Sequence, residues 1–290
     1  MARAVSRSRR CAGWQARSSR SARAVAEASG CEQRRRIAGR WPAFTAGVLL
    51  ACSVNFTAIA QETGEDRWTF TVTPYLWAAG ISGEAGTLPG IPPADVDDSF
   101  GDIFDDLRFA GMVAASARRG RFGLAGDLQY VETRADSSSL APLFDGETLT
   151  SKSFIFSALG EYVAFENDRT QLLVSGGLRV WSVDTELDLD SGLLPGRTID
   201  GDDTWVDPML GVRGRIDVVG DVFASGWAYA GGFGAGSEIM ADLFGGVGYA
   251  WTDRIETTLG YRWLRVDRDT DDFLYDVRQG GLIAGLTVKF

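Results

Sequence analysis

The chain has 290 residues, 45% of them hydrophobic, no histidine, and a formal net charge of −10. That length suits one large domain or two small ones. The missing histidine excludes Asp–His and Ser–His catalysis, and no apolar run reaches the roughly 18–20 residues of a spanning helix. Charge is split along the chain: residues 1–60 hold eleven arginines against Glu27 and Glu32, and the rest holds 18 basic and 37 acidic residues. So acidic a body argues against nucleic acid as a partner.

Residues 1–60 read as an Arg-rich leader with a secretory signal peptide. Arg34, Arg35, Arg36 and Arg40 precede an apolar run from Phe44 to Ala60, and Ala58-Ile59-Ala60 sets an A-x-A cleavage site before Gln61. Leu49-Leu50-Ala51-Cys52 offers a rival reading, a lipoprotein box that would lipidate Cys52. Cys11, Cys31 and Cys52 are the only cysteines. The mature chain is therefore expected to have neither disulfide nor thiol chemistry. Residues 61–66 form a short segment before the body, 67–290.

The body reads as strands with period-two alternation. The first spans 67–81, with Trp68, Phe70, Val72, Leu76 and Ala78 on one face. A long loop, 82–106, follows, with a short amphipathic helix presenting Phe100, Ile103, Phe104 and Leu107. Strands are then expected at 107–117, 122–134, 150–165, 170–184, 204–216, 222–233, 239–251, 255–266 and 273–290. The alternation in 222–233 is blurred, and no faces are assigned there. In the last strand Phe273, Tyr275 and Val277 are apolar at odd positions, whereas Leu282, Ala284, Leu286, Val288 and Phe290 are apolar at even ones. A bulge at Gly280-Gly281 would reconcile the two halves.

The count is ten, with eight or twelve as neighbouring possibilities. Short turns at 118–121, 166–169, 217–221 and 252–254 share one side with both chain ends. The long loops 82–106, 135–149 and 185–203 fall on the other. The fold class is therefore all-β, a transmembrane up-and-down antiparallel barrel with short periplasmic turns and long outer loops. Tyr and Trp near the strand tips suit an aromatic girdle.

Trp68 with Pro74-Tyr75-Leu76-Trp77 and Gly80, the segment Ser99–Phe104, the connection Gly231-Gly-Phe-Gly-Ala-Gly-Ser237 and Gly260-Tyr-Arg-Trp263 resemble a group of small proteobacterial outer-membrane β-barrel proteins. The resemblance covers about residues 67–290. Members mostly have no assigned activity, so it implies the fold and the outer membrane and little about function. It also implies that Leu286, Val288 and Phe290 form the signal read by the barrel-assembly machinery.

The face opposite the apolar one carries Asp127, Glu161, Arg179, Asp207, Arg213, Arg215, Asp242, Glu256 and Arg262. Such charges inside a small barrel either pair into a network that plugs it or line a narrow polar pore. Small size favours the plug, and burial requires the charges to pair. Arg213 and Arg215 are expected beside acids such as Asp207 and Glu161. No catalytic site and no cofactor are expected, although a carboxylate-only glycan hydrolase is not excluded by composition. Asp267, Asp269 and Asp271 alternate like a calcium loop but lack its glycine and bidentate glutamate, so a solvated loop is the better reading. The remaining partners are outer-membrane lipid and lipopolysaccharide, whose phosphates can share divalent cations with the acidic loops. Three functions fit: a structural, envelope-integrity barrel with a plugged lumen, a narrow porin-like channel for small polar solutes, or a surface adhesin or ligand-binding barrel.

Overall fold

The computed structural model describes residues 67–290 except 139–142 and 271–272. The leader, the cysteines and the expected cleavage site lie outside the described residues. The elements are β1 (Thr69–Gly86), β2 (Ala94–Asp98), α1 (Phe100–Asp105), β3 (Leu107–Arg119), β4 (Phe122–Ser137), β5 (Phe144–Glu166), β6 (Thr170–Ser191), β7 (Arg197–Val219), β8 (Val222–Gly232), β9 (Ile239–Ala250), β10 (Ile255–Thr270) and β11 (Phe273–Lys289). Strand β2 is a short flap on β1. The other ten pair antiparallel with their chain neighbours, and β11 returns to pair with β1. This is a closed up-and-down barrel, the architecture that crosses a membrane without leaving a sheet edge. Backbone bonds between Phe70 and Phe290, 2.9 and 3.3 Å, fasten the last residue to the first strand.

Alternation sorts the side chains. On β6, Leu172, Val174 and Leu178 face out and are exposed, while Ser175, Arg179, Trp181 and Val183 face in and are buried. Exposed apolar side chains cover the wall all round, which only a lipid environment rewards. Aromatic pairs mark both rims of this belt: Phe122–Tyr162 (5.2 Å) and Tyr249–Trp251 (4.8 Å) at the end with the short turns, Phe109–Tyr130 (5.9 Å) toward the loops. The two ends are called here the turn end and the loop end.

Three expectations change. First, there is no bulge at Gly280-Gly281. The β10–β11 register runs without a shift from Ile255↔Val288 to Thr270↔Phe273. Odd positions face inward throughout, so Phe273, Tyr275 and Val277 are apolar because they belong to a lumen core, not because the strand changes face. Second, the blurred alternation of β8 has the same cause. Phe223 and Tyr229 are buried inside, Val222 is exposed outside, and both faces are apolar. Third, the expected loops 135–149 and 185–203 are largely strand. Strands β5, β6 and β7 have 23, 22 and 23 residues. At about 3.3 Å per residue and about 40° of tilt they rise roughly 55 Å along the axis, against a hydrocarbon core of about 30 Å. Their polar upper halves form a β-sheet standing clear of the apolar belt. Polarity signalled solvent there and was read as loop.

Candidate functional site

The lumen is built in three layers. At the loop end lies an apolar one. Trp181 and Trp205 stack at 5.7 Å on β6 and β7, and Trp205 meets Phe273 (5.8 Å) and Tyr275 (6.1 Å) from β11 across the barrel. Met240, Leu264, Val266 and Val277 fill the space beside them, each at most 1% exposed. Two connections close over this layer. Gly201 of β7 touches Thr87 and Pro89 of the β1–β2 connection so closely that a Cβ there would lie 2.0 Å from the Thr87 carbonyl oxygen. Thr87 also hydrogen-bonds to Thr185 of β6 at 3.1 Å. The chain after β1 therefore straps across to the opposite wall.

The second cover is the β8–β9 connection. Gly232, Phe233 and Gly234 all have positive φ, 85°, 52° and 74°, which turns the chain back into the barrel. Fully buried Asp207 then receives the Ser237 amide (2.6 Å) and hydroxyl (2.8 Å), and also the Trp181 indole N–H (2.8 Å). Arg268 donates to the Gly236 carbonyl and to Asp203, both at 2.6 Å, and lies over the Trp205 ring.

The middle layer is ionic. Asp242 of β9 accepts Arg179 Nη2 and Arg262 Nη2 on Oδ2, both at 2.7 Å. Its Oδ1 accepts Arg262 Nε (3.1 Å) and the Trp227 indole (2.9 Å). Arg179 also donates to Ser157 at 2.8 Å. Tyr75 and Gln129 donate to Asp127 at 2.7 and 2.8 Å, and Asp127 lies 4.0 Å from Arg262. The side chains of Arg179, Arg262 and Asp242 are at most 2% exposed. Two arginines and two aspartates make the layer neutral, and nearly every lone pair of Asp242 is used, the condition under which such burial is tolerable.

Below it, toward the turn end, the lumen opens into a cavity of about 620 Å³ roofed by Tyr75 and Asp127 and reaching the β5–β6 turn at Asn167 and Arg169. Its walls carry further ion pairs. Arg213 reaches Glu161 at 3.3 Å. Arg215 reaches Glu256 at 2.9 Å and lies 3.6 Å over the Phe223 ring, and Lys289 pairs with the same Glu256.

The nine sequence-chosen side chains thus sit inside the barrel but not in one network. Asp127, Arg179, Asp242 and Arg262 form the middle layer. Glu161, Arg213, Arg215 and Glu256 line the cavity. Asp207 stands apart from both cavity arginines, on the loop-end side with neutral donors. Asp267 and Asp269 lie in strand β10 rather than in a loop, and Asp267 pairs with Arg265 at 3.3 Å. Asp271 is outside the described residues, and among the described residues no acidic or thiol cluster suits a metal ion. Sequence reasoning missed Ser237, Arg268, Tyr75 and Trp227. The glycine-rich connection preceding Ser237 was the available signal, since such a run lets backbone enter a crowded space.

No family model and no curated protein matches this chain. Among solved structures it is similar to the Neisserial surface protein NspA (16% identity, TM-score 0.34, 77% of this chain and 97% of that one). It is also similar to the outer-membrane protease OmpT of Escherichia coli (10%, TM-score 0.45, 80% and 99%). A third is the translocator domain of the autotransporter NalP of Neisseria meningitidis (10%, TM-score 0.44, 79% and 90%). At these identities and scores the likeness says nothing about activity.

Proposed function

We propose that this chain is a bacterial outer-membrane barrel with a structural, envelope-integrity role and a lumen that does not conduct. The observation that carries this reading is the Arg179–Asp242–Arg262 layer. A pore needs hydrated charges along a continuous path, whereas these are dehydrated, mutually paired and roofed by tryptophans. In this orientation the turn end faces the periplasm and the β5–β7 sheet rises from the cell surface. The same pairing argues against a carboxylate-only hydrolase, because Glu161, Asp242 and Glu256 are each neutralised by a cation instead of standing as an acid and a base. The tall β5–β7 sheet favours surface binding as the second reading.

Planar-bilayer recording tests the proposal. The wild-type barrel should show no stable conductance steps. Asp242→Asn leaves two buried guanidiniums facing each other, a change of the kind that costs about 3–5 kcal/mol, so the variant should leak or lose its heat-modifiable folded form. Ohmic steps from the wild type, or an Asp242→Asn variant as tight and as stable as the parent, would overturn the plug.

A further inference from the structure

The wall of the barrel is incomplete at one seam. The β1–β3 ladder runs from Thr69↔Arg118 to Pro74↔Val113 and ends there, although β1 continues to Gly86 and β3 reaches back to Leu107. Continuing the register would set Tyr75 against Met112 and Gly80 against Leu107. Among the described residues no such pairs form. Pro74, with no N–H to give, stands where the ladder stops, and the β1–β11 ladder also skips Thr73 and Pro74. Above the gap β1 takes a different partner, pairing Ile81–Ala85 with β2. There the chain at Asp98–Phe100 crosses Gly80 so closely that a Cβ would lie 3.0 Å from the Asp98 carbonyl oxygen. On its other side β3 is drawn to β4, where the Arg134 amide bonds to the Asp106 carbonyl at 2.8 Å.

The gap therefore has a floor at Pro74, a roof at Ser99 and α1, and two strand edges, Tyr75–Gly80 and Leu107–Met112. It lies within the apolar belt: Leu76 and Phe109 face outward beside it, 72% and 57% exposed. Unpaired backbone at that depth is costly in hydrocarbon unless something covers it. Behind the edges the lumen side is small and apolar, with Ala79 and Met112 only partly buried. Trp77, on the lumen side of the same stretch and 7% exposed, keeps an indole N–H with no acceptor. Its ring is already held by Arg262 at 4.7 Å. A buried donor without a partner is rare.

We infer that the β1–β3 seam is a lateral binding site for the acyl chain of a bilayer lipid, its hydrocarbon seated between the strand edges and its ester or amide carbonyl accepting from Trp77 Nε1. An acyl chain matches both observations, an apolar slot open to the belt and one buried donor at its back. The site goes beyond the structural role proposed above but rests on the outer-membrane reading. It does not require the lumen to conduct, since the slot opens sideways to the apolar belt.

The test is photolabelling. The barrel is refolded into liposomes containing a phosphatidylethanolamine with a diazirine in one acyl chain, irradiated, and mapped by mass spectrometry. Annular lipid reaches only outward residues such as Leu76, Ala78 and Phe109. Lipid in the seam also labels the inward residues Ala79, Ala110 and Met112, several-fold above Ala125 and Leu159, which face inward beside an intact ladder. Trp77→Phe should lower inward labelling about fivefold, the value of one hydrogen bond, and Ala110→Phe should abolish it by filling the slot. Label confined to outward residues in an inserted, heat-modifiable barrel overturns the site while leaving the outer-membrane reading intact. Failure to insert at all overturns both. Inward labelling that is unchanged in Trp77→Phe overturns the indole's role, and inward labelling that survives in folded Ala110→Phe overturns the slot.

Discussion

Two buried aspartates illustrate two ways of burying a charge. Asp242 is balanced by two guanidiniums, whereas Asp207 is surrounded by neutral N–H and O–H donors from Trp181 and Ser237. The first fixes the barrel's middle; the second fixes a loop. Ser237 is the joint in that arrangement, because its hydroxyl donates to Asp207 and accepts the Trp205 indole at 2.8 Å. Ser237→Ala removes one donor from a fully buried carboxylate and leaves the Trp205 N–H without an acceptor. Each orphaned group costs about 1–3 kcal/mol. The expected result is a barrel that remains closed but unfolds at lower urea, with the Gly231–Ser237 connection newly open to limited proteolysis. Unchanged urea midpoint and protease resistance would mean that the loop is held by Arg268 instead.

Among the elements, α1 is a helix of six residues and depends most on its cap. Ser99 Oγ accepts the Asp102 amide, and the Asp102 carboxylate accepts the Ser99 amide at 3.0 Å, a capping box. The bonds from the Ser99 hydroxyl and amide hold the Asp102 carboxyl below the ordinary carboxylate range. Asp98 shifts the other way, raised first by burial and then by the neighbouring charges of Asp102, Asp106 and Asp97. The signs follow by linkage. Asp102 supports the helix above the ordinary carboxylate pKa, and that support is lost as pH falls through its depressed folded value. Asp98 destabilises the same segment when ionised, and protonation relieves it at a pH above the ordinary value. On acidification the segment should therefore first tighten and then loosen. Hydrogen exchange at the Ser99 amide, followed downward from neutral pH, should pass through a minimum after correction for intrinsic rates, and Asp98→Asn should remove the first limb. The helix was legible in the spacing of Phe100, Ile103 and Phe104. The strands were legible wherever one face was apolar and the other polar, as in the lower halves of β6 and β7. The faces, though not the strands, were illegible in β8 and upper β11, because a lumen filled with Phe223, Tyr229, Phe273 and Tyr275 erases the contrast on which period two depends. Arg213 beside Glu161 was legible, whereas the meeting of Arg179 with Asp242 was not, since only the curvature of the closed wall brings those two together.

Taken whole, the molecule makes opposite demands on neighbouring residues, and the layered lumen grades those demands by height. Val212 and Arg213 are adjacent on β7. Val212 pairs with Val174 and Ala228 and is 41% exposed on the outer face. Arginine there must leave the hydrocarbon or thin it locally, at a cost of about 2–4 kcal/mol near the midplane. Arg213 faces the cavity with its side chain 38% exposed, while its partner Glu161 is 3% exposed. Removing Arg213 strands Glu161 with Ser175, 3.5 Å away, as its remaining hydrogen-bond partner. The full cost of breaking a buried pair, about 3–5 kcal/mol, is an upper bound here, because water in the cavity can reach the arginine side. Arg213→Leu should therefore destabilise less than Val212→Arg, and it should not open a conducting path, since the Asp242 layer above stays intact. Arg262→Leu removes the same kind of charge from that dry layer and should be the most damaging of the three. Heat-modifiable gel mobility and urea midpoints rank them, with bilayer conductance as the second readout. An Arg213→Leu variant that leaks while Arg262→Leu stays sealed would move the barrier from the middle layer down to the cavity wall.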